Sequence, residues 1–280
     1  MTTHKIANQA EFDASLAAGA PGDRYVMRGG EYRGLSTAVQ RIVGGATWGA
    51  RTKIEARAWK GVRERVVFVP DPERPTEPPL RLAHGLANVE FIGLAFDARQ
   101  TAIHAAKVTS STAGGAAHHV RLTDCEFTGA IHSGVLVTDT QHVELIGGSS
   151  HHNGSVVGLD HGVYVAISDS KVAGLDAYGN KAGGIKICHA VDLVERGVIE
   201  DCRAWGNGDA GRGAGILLHG IGLIARRNQA WGNVIGLHQY GASRGCIWSR
   251  NVTDGRQRYP FYVQPDSTGS VDDRNELIPA

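Results

Sequence analysis

The sequence predicts an all-β solenoid, a right-handed parallel β-helix with a short capping helix at its N-terminus. Two observations carry this. First, four segments end in an aromatic residue or His, one further residue and then Asn, at Asn153, Asn180, Asn207 and Asn233, with spacings of 27, 27 and 26 residues. Aligned on Asn, further columns coincide: Leu145, Val172, Ile199 and Ala225; Ser150, Ala177, Ala204 and Ala230; His151, Tyr178, Trp205 and Trp231. Second, each Asn precedes a short β-rich run, GVYV at 162–165, GIKI at 184–187, GILL at 215–218 and GLHQ at 236–239. GVLV at 134–137 comes before this series and PFYV at 260–263 after it. These runs are too short and glycine-rich for helices. A repeat of this length with two or three strands fits coils stacked ~4.8 Å apart. The Leu-x-x-Leu-x-Leu register of leucine-rich repeats is absent.

Taken in chain order, residues 8–22 form an N-terminal cap and first turn. Asn8 is the expected helix N-cap with Glu11 three residues on, and Phe12 and Leu16 share one face. The Pro-rich stretch 71–79 reads as a loop within the fold, because strand-like runs continue on both sides. Regular coils are expected over 86–264, and the polar residues 265–280 as a C-terminal cover or tail. Covers belong at both ends, since a solenoid otherwise exposes raw strand edges. All 280 residues then form one domain, a length that a repeat architecture absorbs. Within the coils, period-two alternation points Val163, Val165, Ile185, Ile187, Ile216 and Leu218 inward. The Asn column is expected to form an internal amide ladder, and Trp205 and Trp231 to stack as packing.

Composition narrows the partners. Lys and Arg total 29 against 28 Asp and Glu, so bulk charge favours neither nucleic acid nor a membrane surface. No apolar stretch approaches the ~20 residues of a membrane span. The first residues show no apolar signal region. This leaves the compartment open: cytoplasmic, or extracellular or periplasmic if a leader is removed. Cys125, Cys188, Cys202 and Cys246 form no metal-type spacing and read as small buried hydrophobes.

Function is expected where long loops meet an outward strand face. The segments 154–161 and 208–214 are long and sit two coils apart, flanking GIKI. By parity, Leu136, Tyr164, Lys186, Leu217, His238 and Tyr262 face out, and so do Thr138, Ala166, Cys188, His219, Tyr240 and Gln264 two residues later. The candidate groove therefore holds Tyr164, Lys186, His219, His238 and Tyr240, walled by Asp160, His161 and Arg212. Lys186, Tyr164, His238 and His161 are the catalytic candidates. Arg212, His219, Tyr240 and Asp160 are the binding candidates.

The segments 10–34, 51–68 and 86–97, with the repeats to about 264, resemble pectate-lyase-like β-helix proteins, in which an amphipathic cap leads through a Pro-Gly-Asp turn to the first coils. The resemblance spans nearly the whole chain and implies a carbohydrate-active protein. Its members include polysaccharide lyases, glycosidases, uronate epimerases and phage depolymerases. The opening is similar to the alginate lyase and chondroitinase B family, but that family's Lys-Ser and Leu-Arg-His-Gly strands are missing, so its calcium chemistry is not carried over. Asp160-His161 matches the mannuronan epimerase Asp-Pro-His turn without its Pro. The Asp cluster of polygalacturonase-like hydrolases is absent.

The resemblance implies an acidic polysaccharide as partner, cleaved by β-elimination after C5-proton abstraction. In that reaction Arg212 or Lys186 neutralises the carboxylate, Lys186 or a His removes the proton, and Tyr164 or Tyr240 protonates the leaving oxygen. The alternatives are a C5-epimerase using the same groups, a non-catalytic carbohydrate-binding β-helix, and a glycoside hydrolase built on Asp160 with Asp139 or Asp209. No cofactor is expected; calcium through Asp160 lacks a complete motif. Phage-type relatives trimerise, so a monomer or a homotrimer is expected.

Overall fold

The computed structural model describes every residue except 37–41, 113, 156–159, 190–191, 210–212 and 280. The chain winds into three long parallel sheets, one strand per coil in each. The first runs from Thr3–Ile6 to Val271–Asp273, the second from Gly30–Arg33 to Glu276–Ile278, and the third from Leu35–Ser36 to Tyr259–Val263. Two small antiparallel hairpins project from it, Ala58–Trp59 with Val62–Arg63 and Ser110–Ser111 with Gly115–Ala116.

The N-terminal cap is a helix, α1 (Gln9–Ala17). Asn8 Oδ1 accepts from the Glu11 backbone N–H at 3.0 Å, capping the helix, and the Glu11 carboxylate reaches back to accept from the N–H of Ala7, just before the cap, at 2.7 Å. Phe12 and Leu16 are buried, and Phe12 packs on Tyr25, Tyr32 and Phe68. The Asp23 carboxylate that follows is buried, which alone would raise its pKa. Its bonds from His4 and from the backbone N–H groups of Thr2 and Ala20 instead hold it down at about 2.

Regular coils begin well before residue 86. The strands Arg24–Met27, Thr52–Ala56 and Ala87–Ile92 already pair in sequence along the first sheet. The early coils escaped the column alignment because loops and a hairpin make their lengths unequal. At the other end, residues 265–280 do not lie across the solenoid as a cover. Val271–Asp273 and Glu276–Ile278 add one more strand each to the first and second sheets, leaving Val271, Leu277 and Ile278 exposed.

All six residues expected to point inward are buried. Inside the second sheet, Phe68, Phe96 and Phe127 stack with centroids 5.6 and 5.7 Å apart. Each such ring stabilises the fold by roughly 1.5–3 kcal/mol through burial. Further on, the same column narrows to Ser150, Ala177, Ala204 and Ala230.

The narrowing makes room for the Asn ladder. The Nδ2 of Asn153 donates to Oδ1 of Asn180 at 3.0 Å, Asn180 to Asn207 at 2.9 Å and Asn207 to Asn233 at 3.0 Å. The Oδ1 of Asn180, Asn207 and Asn233 also accepts the preceding Asn's backbone N–H, that of Asn153 accepts the Ala130 N–H, and each Nδ2 reaches a carbonyl, so the buried amide side chains are paired. The glycine opening each third-sheet run follows from this ladder. A Cβ at Gly162 would lie 2.6 Å from Asn180 Nδ2, and one at Gly215 2.7 Å from Asn233 Nδ2. A second ladder, not foreseen from sequence, links Asn228, Asn251 and Asn275, with bonds of 2.9 and 2.8 Å.

Candidate functional site

Strand register settles which side chains share the outer face of the third sheet. In adjacent coils Lys107 lies beside Leu136, Leu136 beside Tyr164, Tyr164 beside Lys186, Lys186 beside Leu217, Leu217 beside His238, and His238 beside Tyr262. The expected column is therefore present, with Lys186 one coil from Tyr164 and two from His238. At ~4.8 Å per coil, the stretch from Tyr164 to His238 covers roughly 14 Å.

Lys186 is the centre of this face. Its Nζ lies 4.7 Å from the Tyr164 ring centroid, a cation–π contact that holds the ammonium over the neighbouring coil. Two residues along the strand, Cys188 Sγ lies 3.3 Å from His219 Nδ1, so the thiol orients the imidazole in the next coil. Tyr240 packs edge-on against both His219 and His238, with centroids 5.5 and 5.6 Å away, and His238 leans on Tyr262 at 5.3 Å. Six of the eight candidates thus fall into one connected patch or its border: Tyr164, Lys186, His219, His238, Tyr240 and His161. Arg212 lies outside the described residues, as do the tips of both long loops at 156–159 and 210–212.

Asp160 and His161 were expected as a loop wall, and the structure places them differently. His161 begins the strand His161–Ala166, edge-on to Tyr164 at 5.7 Å, and both residues are buried. They form the floor beside the groove. Asp160 Oδ1 lies 2.7 Å from His132 Nδ1, and its Oδ2 accepts the Ser155 N–H at 2.9 Å. His132, half-exposed and next to His104, is a member of this edge that sequence reasoning missed. The available signal was the Ile-His pair recurring at 103–104 and 131–132, one coil apart. Asp209, one of the hydrolase candidates, is ion-paired with Lys181 at 2.6 Å.

The titration states follow from burial and from Lys186. Burial, with the Lys186 charge second, depresses the pKa of His161 to about 3 and of His238 to about 4. Both stay neutral at ordinary pH, and the Nε2 of each is buried without a hydrogen-bond partner. Burial first, and Lys186 among the lesser causes, also lowers His219, which is more accessible. Tyr164 is pushed up to about 12 by burial and then by Cys188, so its phenol keeps its proton. The face thus presents a cation, a neutral imidazole and a phenolic proton donor in three neighbouring coils. Among the described residues, no group of three or more His, Cys, Asp or Glu is placed to hold a metal ion. A cleft of about 690 Å³ lies elsewhere, on the outer face of the first sheet. The third-sheet face presents these side chains one per coil along the axis, a spacing suited to an extended ligand.

With the coils and this face defined, the class is plain. Residues 87–253, more than half of the chain, match the family model described as right handed beta helix region, and the chain belongs to that family. Comparison with curated protein sequences gives no match. Among solved structures it is similar to pectate lyase Pel9A, with a TM-score of 0.69 and 16% identity over 98% of this chain and 79% of that one. It is also similar to an alginate lyase from Paenibacillus sp. str. FPU-7, with a TM-score of 0.62 and 16% identity over 99% and 97%. A third neighbour is the Azotobacter vinelandii mannuronan C-5 epimerase AlgE6 A-module, with a TM-score of 0.53 and 13% identity over 97% and 94%. At these identities the likeness establishes the fold alone.

Proposed function

We propose that this protein acts on an acidic polysaccharide laid along the third-sheet groove, by abstraction of the C5 proton of a uronate residue and β-elimination. The observation that carries this is the placement of Lys186 between Tyr164 in one adjacent coil and His219 in the other. The names of the structural neighbours, which specify pectate, alginate and mannuronan, support the substrate class.

In this reading the Lys186 ammonium binds the uronate carboxylate, drawing charge from C5 so that its proton becomes acidic. The neutral imidazole of His219, oriented by Cys188, takes that proton. The electron pair left on C5 forms the C4–C5 double bond as the C4–O bond breaks, and the Tyr164 hydroxyl protonates the departing oxygen. His161 and His238, neutral and buried, shape the pocket and add no competing cation beside Lys186. Tyr240, exposed beside His219 and His238, offers a face for a neighbouring sugar ring.

The test is incubation with polygalacturonate, alginate and glycosaminoglycans while following the ultraviolet absorbance of the unsaturated product. Lys186→Ala is expected to lower turnover by about 10²–10³-fold, the scale of losing one charge-stabilising group, with unchanged thermal unfolding. Equal turnover in the variant overturns the assignment. Reducing ends without unsaturated product replace elimination by hydrolysis. Solvent deuterium entering C5 without chain cleavage replaces it by epimerisation.

A further inference from the structure

Along most of the first sheet, the outer face is neutralised by ion pairs, Arg51 with Glu90, Arg121 with Glu144, and Lys171 and Arg226 with Glu200. The first coils break this pattern. A cleft of about 690 Å³ opens there, lined by Lys5, Arg24, Val26, Arg28, Glu55 and Trp59 among others. Arg24 is bound by Glu55, but the side chains of Lys5 and Arg28 make no ion pair among the described residues.

Over this cleft hangs the hairpin Ala58–Trp59 with Val62–Arg63. Its two-residue tip, Lys60 and Gly61, has φ of 48° and 82°, the geometry of a tight primed turn that brings a further cation to the rim. Both legs are anchored. Glu64 binds Arg57, and its N–H donates to the Arg57 carbonyl at 2.8 Å, while Arg63 pairs with Asp124 at 3.0 Å. Trp59 is nevertheless 69% exposed. An indole held in water on a pinned hairpin, beside Lys5 and Arg28, which have no carboxylate at ion-pair distance among the described residues, and the aliphatic side chain of Val26, is a surface shaped for a ligand with one apolar face and one negative charge.

We infer that this cleft is a second, non-catalytic binding site for an acidic saccharide unit, with the pyranose ring against Trp59 and its carboxylate between Lys5 and Arg28. The inference stands on the cleft itself and not on the chemistry assigned to the groove. Its lining belongs to a different sheet, so a polymer held here is anchored away from Lys186.

The experiment is fluorine NMR of the full chain labelled with fluorotryptophan, the Trp59 resonance being assigned by its loss in Trp59→Phe. Trigalacturonate and a mannuronate trisaccharide are the probes, with a neutral trisaccharide and inorganic phosphate as controls. An acidic trisaccharide is expected to shift the Trp59 resonance saturably, and Lys5→Gln with Arg28→Gln to weaken binding by about tenfold or more, the scale of lost charge-assisted bonds. The neutral sugar is expected to leave it unmoved. The inference is overturned if neither acidic trisaccharide moves the resonance, if the double variant binds like the parent, or if phosphate reproduces the effect. The groove is read separately: Lys186→Ala is expected to leave the Trp59 titration intact. Titration without turnover in the parent removes the groove assignment alone; turnover without titration removes this one alone.

Discussion

The outer faces of the second and third sheets are built on the same coils, yet they treat repetition in opposite ways. On the second sheet, His151, Tyr178, Trp205 and Trp231 stack with centroids 4.7, 4.6 and 5.0 Å apart, and Asp176 pairs with Arg203 beside them. Each side chain finds its partner in the next coil. On the third sheet, successive coils present Leu136, Tyr164, Lys186, Leu217 and His238, and no two neighbours are alike. A column that repeats satisfies itself; a column that changes at every step leaves groups available to something else. In a solenoid, chemistry is to be sought where stacking is interrupted.

That contrast can be broken at several points. The largest structural effect is expected from the repeating interior. Asn207 is buried and bonds through both amide atoms, so Asn207→Ala should cost on the order of 3 kcal/mol by leaving ladder partners unmatched. Urea unfolding measures this. An unchanged midpoint would show that the ladder is dispensable. Trp205→Ala removes two stacked contacts from a partly exposed column and is expected to cost about 1–2 kcal/mol, with turnover retained. A loss of turnover at constant stability would place function on the second sheet too.

The ion pairs of the first sheet and the buried imidazoles of the third should also respond to different pH ranges. Glu200 has its pKa lowered from 4.5 to about 2, chiefly by Lys171, with Arg226 also contributing. Its stabilisation is complete above 4.5 and is lost as pH falls toward about 2. His161 and His238 are also lowered, from 6.5 to about 3 and about 4, but by burial in the neutral form. Their neutral burial favours the fold above 6.5, and stability falls as pH drops from there toward those values. Urea midpoints across pH should therefore show His238→Gln flattening the slope between 6.5 and about 4, and Lys171→Met flattening it between 4.5 and about 2. The smallest expected effect is on the rate profile. If His219 is the base, turnover should hold below pH 6.5 before its acid limb, because His219 is lowered too.

The repeat makes the fold legible in the sequence alone. The Asn spacing, the inward valines and isoleucines, and the outward column from Leu136 to Tyr262 all follow from period and parity. What escaped did so for physical reasons. The second ladder shares its column with Cys125, Gly148, Leu175 and Cys202, so only its later half carries Asn and no uniform column stands out. The Asp160–His132 pair joins residues 28 apart at a corner of the coil, where strand parity says nothing about direction. The loop-like neighbours of Asp160 and His161 point to a loop wall, whereas burial is decided by the coil above and below. The Trp59 hairpin interrupts a coil and has no counterpart in the repeat.

The glycines at the head of each third-sheet run have one more consequence. Because they seat the strand directly against the amide ladder, the rungs of the groove take their separation from the backbone of the solenoid. Lys186 cannot drift along the axis relative to Tyr164 or Leu217 without disturbing Asn180 and Asn207. The groove is therefore a ruler with fixed graduations. On the function proposed above, a polymer lying along it would be measured as well as bound, and one whose repeat falls out of step with the coils would be rejected by mismatch that accumulates with every rung.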